Sequence, residues 1–437
     1  MAASRSRKIF FSVGEPSGDI HAANLIRALQ ERCPSIETVG YGGPCMAEAG
    51  CRLHEDLTAL AVMWFGRVLL NLHRFWGLVS RADRYFRHHR PDAVVLVDYP
   101  GMNWWIAWRA KRHGIPVFYY SPPQLWGWAP WRVKKMRRLV DHVLCCLPFE
   151  ESWFRQRGCN ATFVGHPFFD EVRRHAYDEA FLAAYGGQSG PLVVILPGSR
   201  TQEVKSNLHW FVKAAGMVDE AVPGVRFAVA AFKPRQAELA RRELAAAGLD
   251  ADVFVGKTPE LMRLADCCMA VSGSVSLELL YHAKPTVILY WISRLAYRVQ
   301  EYFRTVKYIT LVNLLSTGQV ESDDLTPFDP AQPDADKVLF PEYLTCDDKS
   351  WRVASHVIEW LSDPARLRDR VKALEALRTN VGHGGASNRA AEYLLDNLPP
   401  APPALPRPHF LQRESDVESA MRELQSSREA RRLDLGW

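Results

Sequence analysis

The sequence predicts an α/β protein built from two tandem doubly wound domains. Its 437 residues exceed the about 100 to 200 residues that one ordinary core accommodates. Short apolar runs rich in Val, Ile and Phe alternate with helical patterns, which is typical of βαβ units and a parallel sheet. The runs form two series separated by a polar, glycine-rich stretch. We therefore expect two domains with a cleft between them, where strand ends and helix N-termini from both sides converge.

The apolar runs predict the strands in chain order. The first series comprises Ile9–Val13, Thr38–Tyr41, Ala93–Val97, Pro116–Tyr120, His142–Leu147 and Ala161–Val164. The second series comprises Leu192–Leu196, Arg226–Ala230, Ala251–Val255, Cys268–Val271 and Thr286–Leu289. Between them, Tyr185–Gly190 has the composition of a linker. We expect an N-terminal domain over residues 1–185 and a C-terminal domain over residues 186–397.

Two segments resemble additions to these domains. Glu321–Lys337 carries six acidic residues and three prolines without apolar periodicity, which predicts an exposed insertion. Asn397–Pro408 is proline-rich and predicts an extended tether, followed by a charged helix. Residues 398–437 are therefore expected to lie outside both domains.

Composition and cysteine usage narrow the class of protein. The chain is 48% hydrophobic and 24% charged, which excludes a wholly disordered or collagen-like chain. Its nine cysteines contain no C-x-x-C pair, which argues against a zinc ribbon and favours reduced thiols. Only the five-residue run Ile9–Val13 separates the N-terminal basic cluster from Gly14 and Glu15, which is too short for the apolar region of a signal peptide. No run of 18 apolar residues occurs that could form a membrane-spanning helix. We expect a cytoplasmic protein.

The positive charge is concentrated in the first half of the chain. Residues 1–185 hold 24 Lys and Arg against 17 Asp and Glu, whereas residues 186–437 hold 30 against 32. Between Tyr99 and Val140, eight basic residues and six tryptophans occur without one acidic residue. This mixture predicts contact with an anionic surface above an apolar layer, and no nucleic-acid-binding module accompanies it.

A second basic and aromatic segment, Ala61–Arg90, adds to this pattern. Arg67, Arg74 and Arg81 recur every seven residues and share a helix face beside an aromatic one that includes Trp64 and Trp76. That arrangement is typical of a helix lying at a membrane surface. An ordinary amphipathic core helix is the alternative.

The candidate site in the first half lies at two strand ends. Gly14-Glu15-Pro16-Ser17-Gly18-Asp19 leads from a strand into a helix N-terminus, which offers backbone N–H groups to a polar ligand or simply forms a tight turn. It lacks the pattern of both common nucleotide-binding loops. Asp98 ends another buried strand, where its carboxylate is either a general base or the cap of the next helix.

The second half of the chain also has candidate site residues at its strand ends. Arg200 follows the strand end Leu196-Pro197-Gly198-Ser199, where a guanidinium suits phosphate recognition. Ser272-Gly273-Ser274 combines a strand end with a small-residue turn whose backbone donors suit a diphosphate. Glu278, one helical turn later, suits two ribose hydroxyls, or is a solvated residue of a capped helix.

No cofactor or metal site is expected. The D-x-D pattern Asp334-Ala335-Asp336 lies in the acidic insertion with no strand before it. We therefore expect Arg200 and helix dipoles to stabilise leaving-group charge. The chain also lacks the G-x-S-x-G elbow of Ser-His-Asp hydrolases.

Nine ordered blocks resemble the lipid-A-disaccharide synthase family. They are GEPSGDIHAANLIRAL, VGYGGPCMAEAG, VDYPGMN, SPPQLWGWAPWRVKKM, LPFEESWF, FVGHPFFDEV, LPGSRTQEV, SGSVSLELL and VNLLSTGQV. The similarity extends from about Lys8 to Leu395 and is broken by the acidic insertion. Nine blocks in this order are far more specific than any one of them.

The resemblance implies the GT-B fold, two Rossmann-like domains with an interdomain cleft, and an inverting glycosyl transfer without a metal. UDP-2,3-diacylglucosamine would donate its sugar to 2,3-diacylglucosamine 1-phosphate, giving a β-1,6-linked disaccharide 1-phosphate and UDP. The protein would be peripheral on the anionic cytoplasmic face of the inner membrane.

The family's functional positions fall on particular residues of this chain. Asp98 matches the proposed base, and Arg200, Glu278 and Asn313 match positions on the UDP side. The acceptor side would comprise Glu15, Ser17, Gly18 and Asn103. The chain departs from the family pattern at Trp64, Arg67 and Gly101. The alternatives are another UDP-hexosamine enzyme, such as a 2-epimerase or a transferase to a different lipid, and a non-catalytic binding protein.

Overall fold

Two parallel β-sheets organise the protein. The computed structural model describes residues 6–58, 72–273, 275–318, 320–333 and 335–400. Neighbouring residues of one strand enter cores on opposite faces of the first sheet, as Phe10 and Phe11 do, because successive strand side chains alternate. Both faces of that sheet are therefore covered, and the predicted fold class is confirmed.

The described part of the first half contains a seven-stranded sheet in the order β3-β2-β1-β4-β5-β6-β7, with every neighbouring pair parallel. Its strands are β1 (Lys8–Val13), β2 (Glu37–Gly42), β3 (Arg52–Asp56), β4 (Ala93–Val97), β5 (Val117–Tyr120), β6 (His142–Cys145) and β7 (Ala161–Phe163). Its helices are α1 (Pro16–Arg32), α2 (Pro44–Glu48), α3 (Leu72–His89), α4 (Pro100–Arg112), α5 (Leu125–Trp128), α6 (Val133–Leu139), α7 (Pro148–Gln156) and α8 (Phe168–Arg174).

The second half, where described, contains a six-stranded parallel sheet in the order β10-β9-β8-β11-β12-β13. Its strands are β8 (Leu192–Leu196), β9 (Arg226–Ala231), β10 (Asp252–Val255), β11 (Cys267–Ala270), β12 (Thr286–Trp291) and β13 (Glu342–Thr345). The remaining helices are α9 (Glu179–Gly186), α10 (Thr201–Ala221), α11 (Pro234–Ala247), α12 (Thr258–Leu264), α13 (Val275–Tyr281), α14 (Arg294–Phe303), α15 (Leu311–Thr317), α16 (Ser350–Ser362), α17 (Pro364–Val381) and α18 (Ala386–Asp396).

The central strands are the ones that the sequence predicts best. Every residue of β4 and β8 is buried, because a parallel sheet is covered on both faces and its inner strands are continuous apolar runs. The sequence analysis missed β3 and β13, which lie at sheet edges. β3 has no apolar run, since its residues RLHED alternate between exposed and partly buried.

Each sheet has a point where the strand order reverses. β1 and β4 are neighbours in the first sheet although two strands separate them in the chain, and β8 and β11 have the same relation in the second. Connections leave such a point toward opposite sides, which opens a crevice outside the carboxyl ends of the strands. The turns after β1, β4, β8 and β11 carry most of the predicted site residues.

The last described helix returns to the first sheet. Ala390, Ala391 and Leu394 of α18 are buried in the same core as residues of α1 and β1. The buried carboxylate of Asp170 on α8 accepts hydrogen bonds from the backbone N–H groups of Gly385 and Ser387, the latter at 2.8 Å. Residues 386–396, which the domain prediction placed in the second domain, therefore pack on the first.

The acidic insertion is anchored although most of its residues are exposed. Phe328 is buried against Tyr343, and Lys307 forms an ion pair with Asp324 at 2.6 Å. Glu321 accepts hydrogen bonds from Trp153 and Arg157 in the first half of the chain. The predicted tether and charged helix lie outside the described residues from residue 401 onward.

We predict that Asp170→Ala destabilises the protein, because it leaves two backbone N–H groups at the start of α18 without their acceptor. The expected loss is about 1–3 kcal/mol of unfolding free energy. Denaturant unfolding measures it, and limited proteolysis should cleave the variant near residue 385. The control is Asp369→Ala, whose surface ion pair with Lys372 is expected to matter little. Equal stability of wild type and Asp170→Ala would contradict this role.

Candidate active site

The turn that carries Asp98 has an unusual backbone. Asp98 and Tyr99 both have φ of 45°, in the left-handed region that residues with a Cβ rarely adopt. Such conformations persist where surrounding contacts impose them, and they concentrate at functional sites. The N-cap residue of α4 is Tyr99 rather than Asp98. This removes the alternative in which Asp98 is only the helix cap.

Buried side chains hold this turn in place. The Asn103 Nδ2 group donates to the Asp98 carbonyl oxygen at 2.7 Å and to the Val97 carbonyl oxygen at 3.2 Å. The Tyr119 hydroxyl donates to the same Asp98 oxygen at 2.6 Å. Ser12 Oγ donates to Asn103 Oδ1 at 2.7 Å, which connects the turn to β1. Residues of β1, α4 and β5 thus fix the position of the Asp98 backbone, from which its side chain extends.

Asn103 itself is fully buried. Its amide bonds Ser12, Val97 and Asp98 beneath the surface, and its place on the acceptor side stays a prediction. It is a positioning residue for the Asp98 turn. The sequence contained a signal for this role, because a buried amide one turn into a helix is well placed to bond the preceding loop.

The glycine-rich turn after β1 packs directly against the Asp98 turn. A Cβ on Gly14 would lie 2.3 Å from the ring of Tyr99, and a Cβ on Gly18 would lie 3.1 Å from Val13 and 3.9 Å from the Asp98 Cβ. Only glycine permits the first approach. The structure therefore brings Glu15 and Gly18 beside Asp98, whereas Ser17 is exposed in the first turn of α1.

The environment of Asp98 favours its protonated form. Burial raises the pKa of the Asp98 carboxyl to about 6, and the nearby negative charge of Glu15 adds to the effect. A carboxyl with a pKa near neutrality is suited to accept and release a proton at physiological pH. This supports the general-base interpretation of Asp98.

The sequence analysis gave no role to Asp19, which organises the neighbouring turn. Its buried carboxylate accepts hydrogen bonds from the backbone N–H groups of Gly43 at 2.9 Å, Cys45 at 2.9 Å and Met46 at 3.1 Å. It thereby caps α2 and fixes the turn after β2 against α1. The GEPSGD block thus has Glu15 and Gly18 beside Asp98, and Asp19 holds the adjoining loop.

In the second half, Arg200 occupies the N-cap position of α10. Its side chain is exposed and lies 3.6 Å from the Glu203 carboxylate. The guanidinium is therefore at the surface near a long helix N-terminus, where an anion is favoured.

The Ser272–Gly273 turn follows β11 at the strand-order reversal. Ser272 Oγ donates to the Ile309 carbonyl oxygen at 3.0 Å, and Gly273 is exposed with open space around it. Ser274 lies outside the described residues. Glu278 is partly buried on α13, and burial together with the charges of Glu171 and Glu260 raises its pKa to about 7.

Asn313 is fully buried, like Asn103. Its Nδ2 group donates to the Phe340 carbonyl oxygen at 2.7 Å and to Glu342 Oε2 at 2.8 Å, and its Oδ1 accepts from the Phe340 N–H at 3.0 Å. Glu342 also accepts from the N–H groups of Ile309 and Thr310. Asn313 therefore helps to hold the segment that bonds Ser272, and its place on the UDP side stays a prediction.

A cleft of about 800 Å³ lies between the two halves. Trp128, Trp131 and Arg132 of the first half form one side, and Ser272 and α14 of the second half contribute to the other. Among the described residues that line it, Asp98 and Arg200 do not appear. The cavity thus adjoins the Ser272 turn and not the Asp98 carboxylate.

The basic aromatic surface is partly described. Leu78, Val79, Ala82 and Phe86 of α3 are buried, so this helix also packs in the core as the alternative interpretation expected. Its first turns expose Arg74 and Trp76, whose ring lies 4.8 Å from that of exposed Trp105 on α4. Arg81 pairs with Glu55 at 2.9 Å. Trp64 and Arg67 lie outside the described residues.

The described residues offer neither a metal site nor a membrane-spanning helix. No group of three or more His, Cys, Asp or Glu side chains there is arranged to hold a metal ion. No helix there is long and apolar enough to cross a membrane. Asp334 of the D-x-D pattern is outside these residues.

Comparisons with known proteins agree on one family. The family model described as LpxB, lipid-A-disaccharide synthetase, matches residues 9–326. Lipid-A-disaccharide synthase from Geobacter sulfurreducens is 32% identical over 407 residues, covering 91% of this chain and 99% of that protein. The Myxococcus xanthus protein of the same name is 31% identical over 394 residues, covering 90% of this chain and 98% of that protein.

Solved structures show the fold. The S. aureus MnaA–UDP co-structure matches with a TM-score of 0.59 at 14% identity, covering 92% of this chain and 100% of that one. Acinetobacter baumannii MurG matches with a TM-score of 0.53 at 11% identity, covering 90% of this chain and 99% of that one. At these identities the likeness concerns the fold, which is GT-B.

We predict that Asp98→Asn stabilises the protein above about pH 6 by about 1–3 kcal/mol, since a raised carboxyl pKa means that folding disfavours the ionised form. The contribution of Asp98 to the unfolding free energy of wild type is fully present below its pKa in the unfolded chain, about 4. That contribution is lost as the pH rises through about 6, the pKa of Asp98 in the folded protein.

Thermal unfolding at about pH 4 and about pH 8 measures this difference. Asp98→Asn should be more stable than wild type only at the higher pH. The control variant Asp369→Asn, at an exposed position, should show no such increase in stability. A variant that is equally stable or less stable than wild type at the higher pH would contradict the raised pKa.

Proposed function

The chain belongs to the lipid-A-disaccharide synthase family and has that family's glycosyltransferase function, and from this premise we propose how its own residues perform the transfer. The donor is UDP-2,3-diacylglucosamine and the acceptor is 2,3-diacylglucosamine 1-phosphate. The observation that carries the proposal is the partly buried Asp98 carboxyl at the strand-order reversal of the first sheet, with its pKa raised to about 6.

Asp98 is the general base. Its carboxylate removes the proton from the acceptor 6-hydroxyl while that oxygen attacks C1 of the donor sugar. The bond from C1 to the diphosphate oxygen breaks, and its electron pair leaves with UDP, so one in-line displacement inverts the configuration at C1. Asn103 and Tyr119 support this step by fixing the Asp98 backbone, since catalysis by a base depends on its position within hydrogen-bond reach.

Residues of the second half receive the leaving group. Arg200, at the N-cap of the 21-residue helix α10, supplies positive charge to the diphosphate. The exposed Ser272–Gly273 turn supplies backbone donors, and its position is supported by the Ser272 hydrogen bond to Ile309. The Glu278 carboxylate accepts hydrogen bonds from the ribose hydroxyls. Glu15, Ser17 and Gly18 face the acceptor from the opposite side of the cleft.

Both substrates are acylated, so the enzyme must reach them at a bilayer. We place the protein on the cytoplasmic face of the inner membrane as a peripheral protein. The exposed rings of Trp76 and Trp105 suit insertion at an interface. Arg112 lies 5.0 Å from the Trp108 ring on the same helix and adds positive charge toward anionic lipid.

UDP release from the acylated donor tests the proposed reaction. Wild type should release UDP only when the acceptor is present, and Asp98→Asn should be slower by about 10²–10⁴-fold because the proton acceptor is lost. Calorimetry should show that Asp98→Asn still binds UDP, and Asp369→Asn should react like wild type. Acceptor-dependent release by Asp98→Asn at the wild-type rate would remove Asp98 from its role, and no release by wild type would contradict the substrates.

Vesicle sedimentation tests the membrane surface. Wild type should bind phosphatidylglycerol vesicles more strongly than phosphatidylcholine vesicles, and the difference should shrink as salt rises. Replacing Trp76 and Trp105 together by Ser should weaken binding several-fold, because interfacial aromatic contacts are lost. The control is Trp351→Ser, since Trp351 is also exposed but lies in the second half. Equal losses in both proteins would contradict the assigned surface.

A further inference from the structure

The interdomain cleft is mainly apolar where it leaves the Ser272 turn. Its floor contains the side chains of Tyr290, Ile292 and Leu344 at the ends of β12 and β13. One wall is formed by Trp128 and Trp131, and the facing wall is formed by helix α14. We call this space the α14 groove.

Two hydrogen bonds from Thr305 join the two walls at one end. The Thr305 hydroxyl, two residues after α14, donates to the Trp126 carbonyl oxygen at 2.7 Å. The Thr305 N–H donates to the Gly127 carbonyl oxygen. The two halves of the chain are therefore joined beside the groove, whose lining includes Ser272.

Helix α14 has ten residues, none of them buried. Ala296, Val299 and Phe303 recur at i, i+3 and i+7 and face the groove. Leu295 and Tyr302 extend the apolar face outward and are 75% and 82% exposed. A helix this short depends on packing of its apolar face for stability, so the bare face indicates that something covers it.

The groove wall also contains an unpaired amide. Both the Oε1 and the Nε2 of Gln300 are buried and have no hydrogen-bond partner among the described residues. An amide buried without partners is unfavourable, and an occupant that offers an ester, amide or hydroxyl group would satisfy it. A purely hydrocarbon occupant would not.

We propose that the α14 groove binds a fatty acyl chain of the UDP-sugar donor. This inference rests on the proposed function, which places the diphosphate at the Ser272 turn, and Ser272 lines the groove. An acyl group on the sugar next to that diphosphate enters the groove, its polar linkage bonds Gln300, and its hydrocarbon covers Val299, Phe303 and the Trp128 wall. The groove is concave and continuous with the reaction site, which suits a single chain of the substrate more than a flat bilayer.

Chain-length selectivity tests the proposal. Val299→Trp fills the groove, and we expect it to lower kcat/KM for a tetradecanoyl donor by about tenfold or more relative to a hexanoyl donor. UDP affinity, measured by calorimetry, should stay as in wild type, whereas Arg200→Ala should lower it. The control is Leu295→Trp, which adds the same ring to the same helix outside the groove and should leave the selectivity unchanged. Val299→Ala should shift the preference toward longer chains, which covers the case of a poorly folded Val299→Trp.

The outcomes separate this inference from the proposed function. Assays in detergent micelles with wild-type turnover intact confirm that the reaction itself stands. If Val299→Trp then slows both donors equally, or matches Leu295→Trp, the acyl groove is wrong. If both tryptophan variants change only binding to phosphatidylglycerol vesicles, the apolar face of α14 is a membrane contact and the proposal is also overturned.

Discussion

The buried amide of Asn103 is the interaction on which the first half of the site depends. It bonds the carbonyl oxygens of Val97 and Asp98 and accepts a hydrogen bond from Ser12, so one side chain joins β1, β4 and α4 at the strand-order reversal. Two consecutive left-handed residues cost on the order of 1–2 kcal/mol each and need such support. These hydrogen bonds keep the Asp98 carboxylate partly buried and near the negative charge of Glu15, a position that is otherwise unfavourable.

The second half uses the same device. Asn313 and Glu342 are buried and bond one another, and together they hold the segment from Ile309 whose carbonyl oxygen accepts from Ser272. The Ser272 turn is thus attached to β13 through buried side chains. In each half, one turn that we propose to meet substrate is positioned by a buried asparagine below it. Rigid support of this kind is what precise placement of reacting groups requires.

Much of this architecture could be predicted from the sequence, and the exceptions have physical reasons. The buried central strands are continuous apolar runs, whereas β3 has exposed polar residues because it is an edge strand with one partner. Asp98, Arg200 and the Ser272 turn lie at the strand ends where the motifs predicted them. The buried hydrogen bonds of Asn103 and Asn313 were missed because a motif does not distinguish a residue that touches substrate from one that bonds the backbone beneath it. The α14 groove was missed since its walls come from segments more than 150 residues apart.

The catalytic role that we propose for Asp98 depends on a carboxyl pKa that burial and Glu15 raise. The most direct test is the pH dependence of the transfer rate in wild type and in Glu15→Gln. We expect the wild-type rate to rise through about pH 6 as Asp98 ionises, and the apparent pKa to be lower in Glu15→Gln because a neighbouring negative charge is gone. An apparent pKa that is the same in both proteins would contradict the assignment of the base to Asp98.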